Sequence, residues 1–315
     1  PYDLSGPLCT NIDALGKGIE MGHVGPGDLV AIGCAGAYGI TSSPLHFISH
    51  APPREVLVPA DGGFDPDGFV RVKGVRTLDK QGHQNLRELF ALRDALAART
   101  AKLYGGSVTA EDVAITSGCN QAFAAAIAML CAEGDEVILP TPWYFNHKMW
   151  LDMSGVNAVA LPTGADLLPD PQKAAALISP QTRAIALVTP NNPAGVEYPS
   201  DLVLAFYELA RAHGIALIVD ETYRDFHSVE GAPHDLFADP DWDDTLIQLY
   251  SFSKSYCLPG HRLGAITAGP DLVFQLAKII DNIQICAPRT VQHALAPMID
   301  RLADWRHQNR QRIAA

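Results

Sequence analysis

Short apolar segments alternate with helix-like segments along the chain from about Ala91 to its end. The apolar segments predict strands at Val113–Thr116, Glu136–Leu139, Ala184–Thr189, Ile215–Asp220, Leu246–Ser251 and Gly264–Ala268. The helix candidates are Leu92–Tyr104, Gln121–Cys131, Leu202–His213 and Leu272–Asn282. Nearly continuous apolar strands separated by helices are typical of a mostly parallel sheet with helices on both faces. We therefore predict a three-layer α/β/α domain over residues 91–315, with functional side chains beyond the carboxyl ends of its strands.

The first 90 residues follow a different pattern. Gly and Pro closely surround the apolar run Asp28–Ile32, which predicts a small β module over residues 1–58. The stretch Pro59–Gly68 consists almost entirely of turn-forming residues, so residues 59–90 are predicted to be a linker or domain boundary. The chain begins with Pro1 rather than Met, from which we expect a fragment or a processed product.

Composition narrows the range of partners. The formal net charge is −12 and no run of Lys and Arg occurs, so we expect neither nucleic acid nor an anionic membrane as a partner. No segment is apolar over a sufficient length to cross a bilayer. The cysteines form no CxxC pair, which favours reduced thiols and a cytoplasmic protein.

Two of the loops that follow predicted strands contain residues suited to binding a ligand. Ser117-Gly118-Cys119 leads from a strand into an alanine-rich helix, and the free N–H groups of a helix start favour a phosphate. A simple serine N-cap would explain the same residues. Tyr144 lies in an aromatic cluster after another strand and could stack on a planar ring, although three adjacent aromatic residues more often pack in a core or an interface.

Two further loops carry polar residues. Asn192 precedes Pro193, which disfavours helical geometry before it, so its amide would point towards the mouth of the sheet; a structural Asn-Pro turn is the alternative. Asp220 ends an apolar strand, where a buried acid is costly unless it meets a cation such as a protonated pyridine nitrogen. A helix N-cap or a structural salt bridge would also account for Asp220.

The last loop, from Ser251 to Arg262, contains a lysine among hydroxyl and aromatic residues. Lys254 is a candidate Schiff-base amine, because a lysine in such surroundings is poorly placed to be a solvated surface group. The planar guanidinium of Arg262 suits a phosphate dianion.

In this order, the segments Ser117–Gln121, Asn191–Gly195, Asp220–Tyr223 and Ser251–Arg262 resemble the motifs of fold-type I aminotransferases, the class I/II group. The resemblance runs from about Ala91 to Ala315. It implies the fold-type I architecture, pyridoxal 5'-phosphate as the cofactor, and a homodimer. The implied reaction moves an amino group between amino-acid and 2-oxo-acid substrates.

The resemblance also implies roles for individual residues. Lys254 would form the Schiff base with the cofactor and then move the proton at the α-carbon of the amino acid, while Asp220 would keep the pyridine nitrogen protonated. Asn192 and Tyr223 would hydrogen-bond the phenolic oxygen of the ring, and Tyr144 would stack on the ring. The residues implied around the phosphate are Gly118, Cys119, Ser251, Ser253 and Arg262.

The N-terminal segment shows a second resemblance. Gly6–Asp13 and Ala35–Gly39 resemble the terminal β domain of fold-type III decarboxylases, which act on diaminopimelate, ornithine and related amino acids. The resemblance implies that Cys9 and Asp13 match substrate-binding positions and that Tyr38 matches a position near the cofactor. Because the barrel that carries the lysine of that family has no counterpart, we expect residues 1–58 to be a structural remnant.

Two other interpretations stay open. Fold-type I β-lyases and decarboxylases share these cofactor residues and differ mainly on the substrate side. Alternatively, the chain is an inactive cofactor-binding fragment of a decarboxylase–aminotransferase fusion. This second interpretation follows from the resemblance, since nothing before Ala91 matches the N-terminal arm of the family and Trp305–Ala315 matches only the start of its small domain.

Overall fold

A computed structural model describes residues 2–5, 14–19, 56–57, 76–77, 82–228 and 230–314, with side chains described over 91–228 and 230–313. Contacts divide the chain into two units, Pro1–Leu89 and Phe90–Ala315. In the first unit, strand β1 (Tyr2–Ser5) pairs antiparallel with β2 (Ala14–Ile19), and β3 (Val56–Leu57) pairs antiparallel with β4 (Arg76–Thr77). The strand predicted at Asp28–Ile32 lies outside the described residues.

The second unit contains a sheet of seven strands. They are β5 (Val113–Thr116), β6 (Glu136–Thr141), β7 (Asn157–Pro162), β8 (Thr182–Val188), β9 (Ala216–Asp220), β10 (Leu246–Ser251) and β11 (Gly264–Thr267). Their spatial order is β5-β11-β10-β9-β8-β6-β7. Strand β11 is antiparallel to β10 and β5, and the other neighbouring pairs are parallel. The prediction of a mostly parallel α/β sheet is confirmed.

Helices connect and flank the strands of this unit in the described part of the chain. They are α1 (Gly82–Tyr104), α2 (Cys119–Leu130), α3 (Phe145–Ser154), α4 (Pro171–Leu177), α5 (Ser200–His213), α6 (Phe252–Ser255), α7 (Pro270–Ile283), α8 (Arg289–Leu295) and α9 (Ala303–Ala314). Short 3-10 turns occur at Ala110–Asp112, Arg224–Phe226, Leu236–Ala238, Trp242–Asp244, Pro259–His261 and Ala296–Met298. No helix among the described residues is both long enough and apolar enough to cross a membrane.

Helix α1 begins at Gly82 rather than at the predicted Leu92. The segment from Gly82 to Ala91 contains Leu, Arg and Glu and no further Gly or Pro, so it can continue a helix once the turn-forming residues have ended. The start of α1 therefore lies inside the stretch 59–90 that the sequence predicts to be a linker or boundary. The turn-forming residues Pro59–Gly68 led to the prediction of a linker, although the residues after Gly82 favour a helix.

The core lies in two layers, one on each face of the sheet. Along β9, Leu217 and Val219 belong to one buried cluster, while Ile218 between them belongs to the other. This division follows from the two-residue period of a strand, whose successive side chains point to opposite faces. Helix α5 packs on the first cluster through Phe206, and α2 packs on the second through Phe123. Because both faces are covered, the strands are apolar at nearly every position.

A buried polar cluster joins distant parts of this unit around Asp225, in the 3-10 turn after β9. Its carboxylate accepts hydrogen bonds from Tyr250 Oη at 2.6 Å, from Arg306 Nη1 at 2.7 Å and from Arg99 Nη2. Burial alone would raise the pKa of Asp225, but the guanidinium groups of Arg99, Arg224 and Arg306 hold that pKa well below its usual range. One ionised carboxylate thus connects α1, β10 and α9.

We predict that Asp225→Asn lowers the free energy of unfolding by about 3–5 kcal/mol at pH 7, because it leaves buried guanidinium groups without their anion. The folded pKa of Asp225 is depressed, so its stabilisation is present above the unfolded pKa of about 4 and is lost as the pH falls below that value. Urea denaturation at pH 7 and at pH 3 should therefore show a difference between variant and wild type that shrinks in acid.

The matched control is Asp241→Asn, since the Asp241 side chain is 61% exposed and lies 3.3 Å from Arg211. This control should change the free energy of unfolding by less than about 0.5 kcal/mol. Equal losses in the two variants, or a loss for Asp225→Asn that is as large at pH 3 as at pH 7, would contradict the assignment.

Candidate active site

The loops that follow β5, β6, β8, β9 and β10 meet around one cavity of about 360 Å³. Its lining residues are Cys119, Asn120, Tyr144, Phe145, Val188, Asn192, Asp220, Thr222, Tyr223, Ser251, Ser253, Lys254, Pro259 and Arg262. The structure thus brings together the residues predicted to bind the cofactor, of which Gly118 lies just outside the lining and against Arg262. Parallel strands explain this convergence, because their carboxyl ends share one edge of the sheet.

Lys254 lies on the short helix α6, immediately after β10. The helix is fixed at its start by Ser251, whose Oγ accepts a hydrogen bond from the backbone N–H of Ser253 at 3.2 Å. Lys254 lines the cavity, and its Nζ lies 5.8 Å from the centre of the Tyr223 ring. A primary amine is therefore presented to the cavity from a capped and packed turn.

Asp220 is buried at the end of β9 and is densely hydrogen-bonded. Its Oδ1 accepts from the backbone N–H of Thr222 at 3.0 Å and from Thr222 Oγ1 at 2.7 Å. Its Oδ2 lies 3.2 Å from His147 Nε2. Burial alone would raise the pKa of Asp220, but the hydrogen bonds from His147 and Thr222 lower it below its usual value. Asp220 is consequently an anion at neutral pH and faces the cavity.

His147 is a site residue that the sequence did not single out. It is buried on α3, stacks on Phe123 with ring centres 3.8 Å apart, and meets Tyr144 edge-on at 5.1 Å. His147 therefore connects Asp220 to the aromatic residue that was predicted to stack on the cofactor ring. The sequence offers one signal, a histidine three positions after Tyr144 and so on the same side of a helix. The proximity to Asp220 is visible only in three dimensions.

The two neighbouring asparagines after β8 have different surroundings. Asn192 Nδ2 lies 3.4 Å from Tyr223 Oη at the cavity, so the pair predicted to contact one ring oxygen is adjacent. Asn191 is buried, and its Nδ2 donates to Tyr198 Oη at 3.2 Å. Asn191 thus holds the turn, and Asn192 is the one available to a ligand.

The start of α2 forms the other end of the cavity. Gly118 has φ +86°, and a Cβ at this position would overlap the guanidinium of Arg262. The Oγ of Ser117 is buried without a hydrogen-bond partner among the described residues. The helix start and the guanidinium are donors that a phosphate group requires, whereas Ser117 does not line the cavity.

These features fit pyridoxal phosphate. The cavity offers an amine for its aldehyde at Lys254, an ionised carboxylate for its ring nitrogen at Asp220, and phosphate donors near Arg262. The predicted residues Cys9, Asp13 and Tyr38 lie outside the described residues, and their placement stays a prediction.

The chain belongs to the class I and II aminotransferases, because the profile of the family "Aminotransferase class I and II" matches residues 75–315. Members of this family use pyridoxal phosphate. The match begins at residue 75, before the start near Ala91 that the motifs suggested. Helix α1 lies within the matched region, which agrees with its early start at Gly82.

The chain is also similar to individual aminotransferases. The chain is 32% identical to the aromatic aminotransferase ISS1 of Arabidopsis thaliana over 68% of its own length and 55% of that protein. It is 29% identical to the glutamate-pyruvate aminotransferase AlaA of Escherichia coli over 75% of its length and 60% of that protein. The solved structure of YbdL, a methionine aminotransferase of Escherichia coli, matches with a TM-score of 0.64 and 29% identity, covering 69% of this chain and 58% of YbdL. The chain therefore spans less than two thirds of the length of these relatives.

We predict that Gly264→Ala weakens both stability and cofactor binding. A Cβ at Gly264 would lie 2.5 Å from the carbonyl carbon of Gly118 and 2.6 Å from the backbone nitrogen of Cys119, so β11 and the start of α2 would have to separate. We expect a loss of about 1–3 kcal/mol in the free energy of unfolding, together with weaker binding of pyridoxal phosphate in a fluorescence titration.

Gly260→Ala is the matched control, because a Cβ there has open space and the residue lies just before β11, in the turn Pro259–His261. The control should bind the cofactor like the wild type. Unchanged binding in the Gly264 variant would show that the close approach of β11 to α2 does not shape the site.

Proposed function

We propose that this protein is a pyridoxal-phosphate-dependent aminotransferase that moves an amino group between an amino acid and a 2-oxo acid. The observation that carries the proposal is the presence of the Lys254 amine and the ionised Asp220 carboxylate on one cavity at the carboxyl ends of the strands. Membership of the aminotransferase family supports this proposal.

When bound, pyridoxal phosphate supplies an aldehyde that reacts with amines and a protonated ring that withdraws electrons from the α-carbon of the substrate. The protein holds and orients that group. Lys254 would bind it covalently, and its amine, once free, would move the proton at the substrate α-carbon. Asp220 would keep the ring nitrogen protonated because it is ionised and buried.

The remaining residues would fix the cofactor in place. Asn192 and Tyr223 would hydrogen-bond the phenolic oxygen of the ring, and Tyr144 would pack on the face of the ring. The phosphate would be held by Gly118, Cys119, Ser251, Ser253 and Arg262. The positions of these residues around one cavity support the assignment.

The alternatives are a β-lyase or decarboxylase of the same fold type and an inactive cofactor-binding fragment. The relatives are named as aromatic, glutamate-pyruvate and methionine aminotransferases, which favours transamination over these alternatives. We propose the reaction class and leave the side chain of the substrate open, because the relatives differ in it.

We further propose a homodimer in the cytoplasm, with no nucleic-acid or membrane partner. The homodimer follows from the family resemblance, and sedimentation analysis would test it. Among the residues that the structure describes, Cys119, Cys131 and Cys257 are free thiols, as expected of a reducing compartment. The acidic composition supports the absence of a polyanionic partner.

For residues 1–58 we propose descent from the terminal β domain of fold-type III decarboxylases. The motifs around Cys9, Asp13 and Tyr38 support this origin. Since such a domain contributes no lysine, we predict that Cys9→Ala leaves the visible spectrum of the bound cofactor unchanged. A lost or altered spectrum would instead assign this segment a part in the site.

We predict that Lys254→Ala abolishes the visible absorption band that pyridoxal phosphate forms with the wild-type protein, since the band requires the lysine amine. The matched control is Lys278→Ala on α7, where the Nζ of Lys278 donates to Gln275 at the exposed surface. That variant should keep the band. An unchanged spectrum after Lys254→Ala would overturn the assignment of the lysine.

Product analysis then separates the reaction classes. An amino-acid donor that converts the bound cofactor to its aminated form and yields a 2-oxo acid would establish transamination. Release of an amine with carbon dioxide would indicate a decarboxylase, and release of a thiol or ammonia with a 2-oxo acid would indicate a β-lyase. Failure of every donor to change the spectrum would favour the inactive fragment.

A further inference from the structure

Cys119 lies at the first position of α2. Its backbone belongs to the helix start predicted to bind a phosphate, whereas its side chain contacts a different part of the cavity. The sequence places Cys119 among the phosphate residues through its position after Gly118. In the structure its Sγ lies 3.5 Å from Asp220 Oδ1, a distance within hydrogen-bond range for sulfur. The residue is buried, with 9% of its surface exposed. The thiol is therefore directed at the partner of the ring nitrogen.

The protonation state of Cys119 suits a donor. Burial raises the pKa of the thiol well above its usual value, and the negative charge of Asp220 raises it further. Thr222 and Arg262 act in the opposite direction with smaller effect. The group consequently remains S–H at neutral pH and can donate to a carboxylate, whereas a thiolate would repel it.

The contacts of Asp220 come from three parts of the fold. Thr222 is two residues away, so its two hydrogen bonds fix the carboxylate only relative to its own loop. His147 reaches Oδ2 from α3, and Cys119 reaches Oδ1 from α2. The two oxygens are thus tied to two different helices on one face of the sheet, which restricts rotation of the carboxylate.

We propose that the Cys119 thiol donates a hydrogen bond to Asp220 Oδ1 and acts as a positioning residue for the carboxylate that faces the cofactor's ring nitrogen. The effect on the cofactor rests on the proposed function. A donor on Oδ1 makes the carboxylate less basic, so with the cofactor bound the shared proton would remain on the ring nitrogen. The positive ring is the form that withdraws electrons.

The hydrogen bond itself can be measured by infrared spectroscopy, because S–H stretching absorbs in a region free of other protein bands. The difference between wild type and Cys119→Ser isolates the Cys119 band, and Cys131→Ser isolates a half-buried reference thiol at the other end of α2. We expect the Cys119 band to be broader and at lower frequency than the reference. In Asp220→Asn the band should move to higher frequency.

This measurement requires no cofactor. A Cys119 band at the frequency of an unbonded thiol, or one that Asp220→Asn leaves in place, would overturn the proposal. Should the Asp220 variant fail to fold, the comparison of Cys119 with Cys131 in the wild-type protein still decides it.

The consequence for the cofactor is tested by titrating the visible band of bound pyridoxal phosphate with pH. In Cys119→Ala the more basic Asp220 would take a larger share of the proton and leave the ring less positive, so the midpoint should rise by about half a pH unit to one unit. Cys119→Ser keeps a donor and should restore the wild-type midpoint. Both variants retain the charged and titratable neighbours His147, Tyr144 and Arg262.

Equal midpoints in Cys119→Ala and the wild type would overturn the positioning role even if the infrared band shows a hydrogen bond. Because Cys119 belongs to a buried cluster, Cys119→Ser, which keeps a donor at the same position, is the control for effects of packing. If the wild type formed no band with pyridoxal phosphate, the proposed function would fail, whereas the infrared comparison would still report on the contact between Cys119 and Asp220.

Discussion

The site depends on one buried carboxylate at the end of a parallel strand. Removing the charge of Asp220 from water is costly, and the fold offsets this cost with donors from Thr222, His147 and Cys119. These donors come from the loop of β9 and from two helices, so the position of α2 and α3 over the sheet is coupled to the charge state of one residue. The result is an anion that is fixed in place before any ligand binds, which is what a cationic ring nitrogen requires.

The acids that follow Asp220 show how the same segment serves structure as well as chemistry. Glu221 is fully buried, and it accepts a hydrogen bond from Tyr104 Oη at 2.7 Å and lies 3.5 Å from His234 Nε2. Asp225 is surrounded by guanidinium groups from helices at both ends of the unit. Because successive residues leave a strand towards opposite faces, Asp220 faces the cavity while its neighbour is held within the core. A residue that faces the cavity and residues that stabilise the core are thus neighbours in sequence, although their side chains lie in different places.

Membership of the aminotransferase family and the geometry of the cavity support the same proposed chemistry. The family match rests on residues 75–315 as a whole, whereas the cavity depends on a few side chains whose distances do not enter that match. The contact between Cys119 and Asp220 adds a property of this particular chain. Cys119 begins α2 at one end of the cavity, and its thiol contacts Asp220 at the other end. Helix α2 therefore contributes to both ends of the cavity.

Local pattern determined much of this protein. The apolar runs specified β5 and β10 with their observed ends, and the order of the loops identified Lys254, Asp220, Asn192 and Arg262 as residues of one cavity. Periodicity could not place the start of α1 correctly, because the turn-forming run Pro59–Gly68 led us to predict a linker as far as residue 90. It also could not reveal His147 or the thiol of Cys119 as partners of Asp220. Strand β5 is separated from β9 by β11 and β10, and α2 brings Cys119 back to the end of β9. Residue patterns report which face of an element is buried, whereas contacts between elements depend on strand order and helix path, and these were decided only by the tertiary structure.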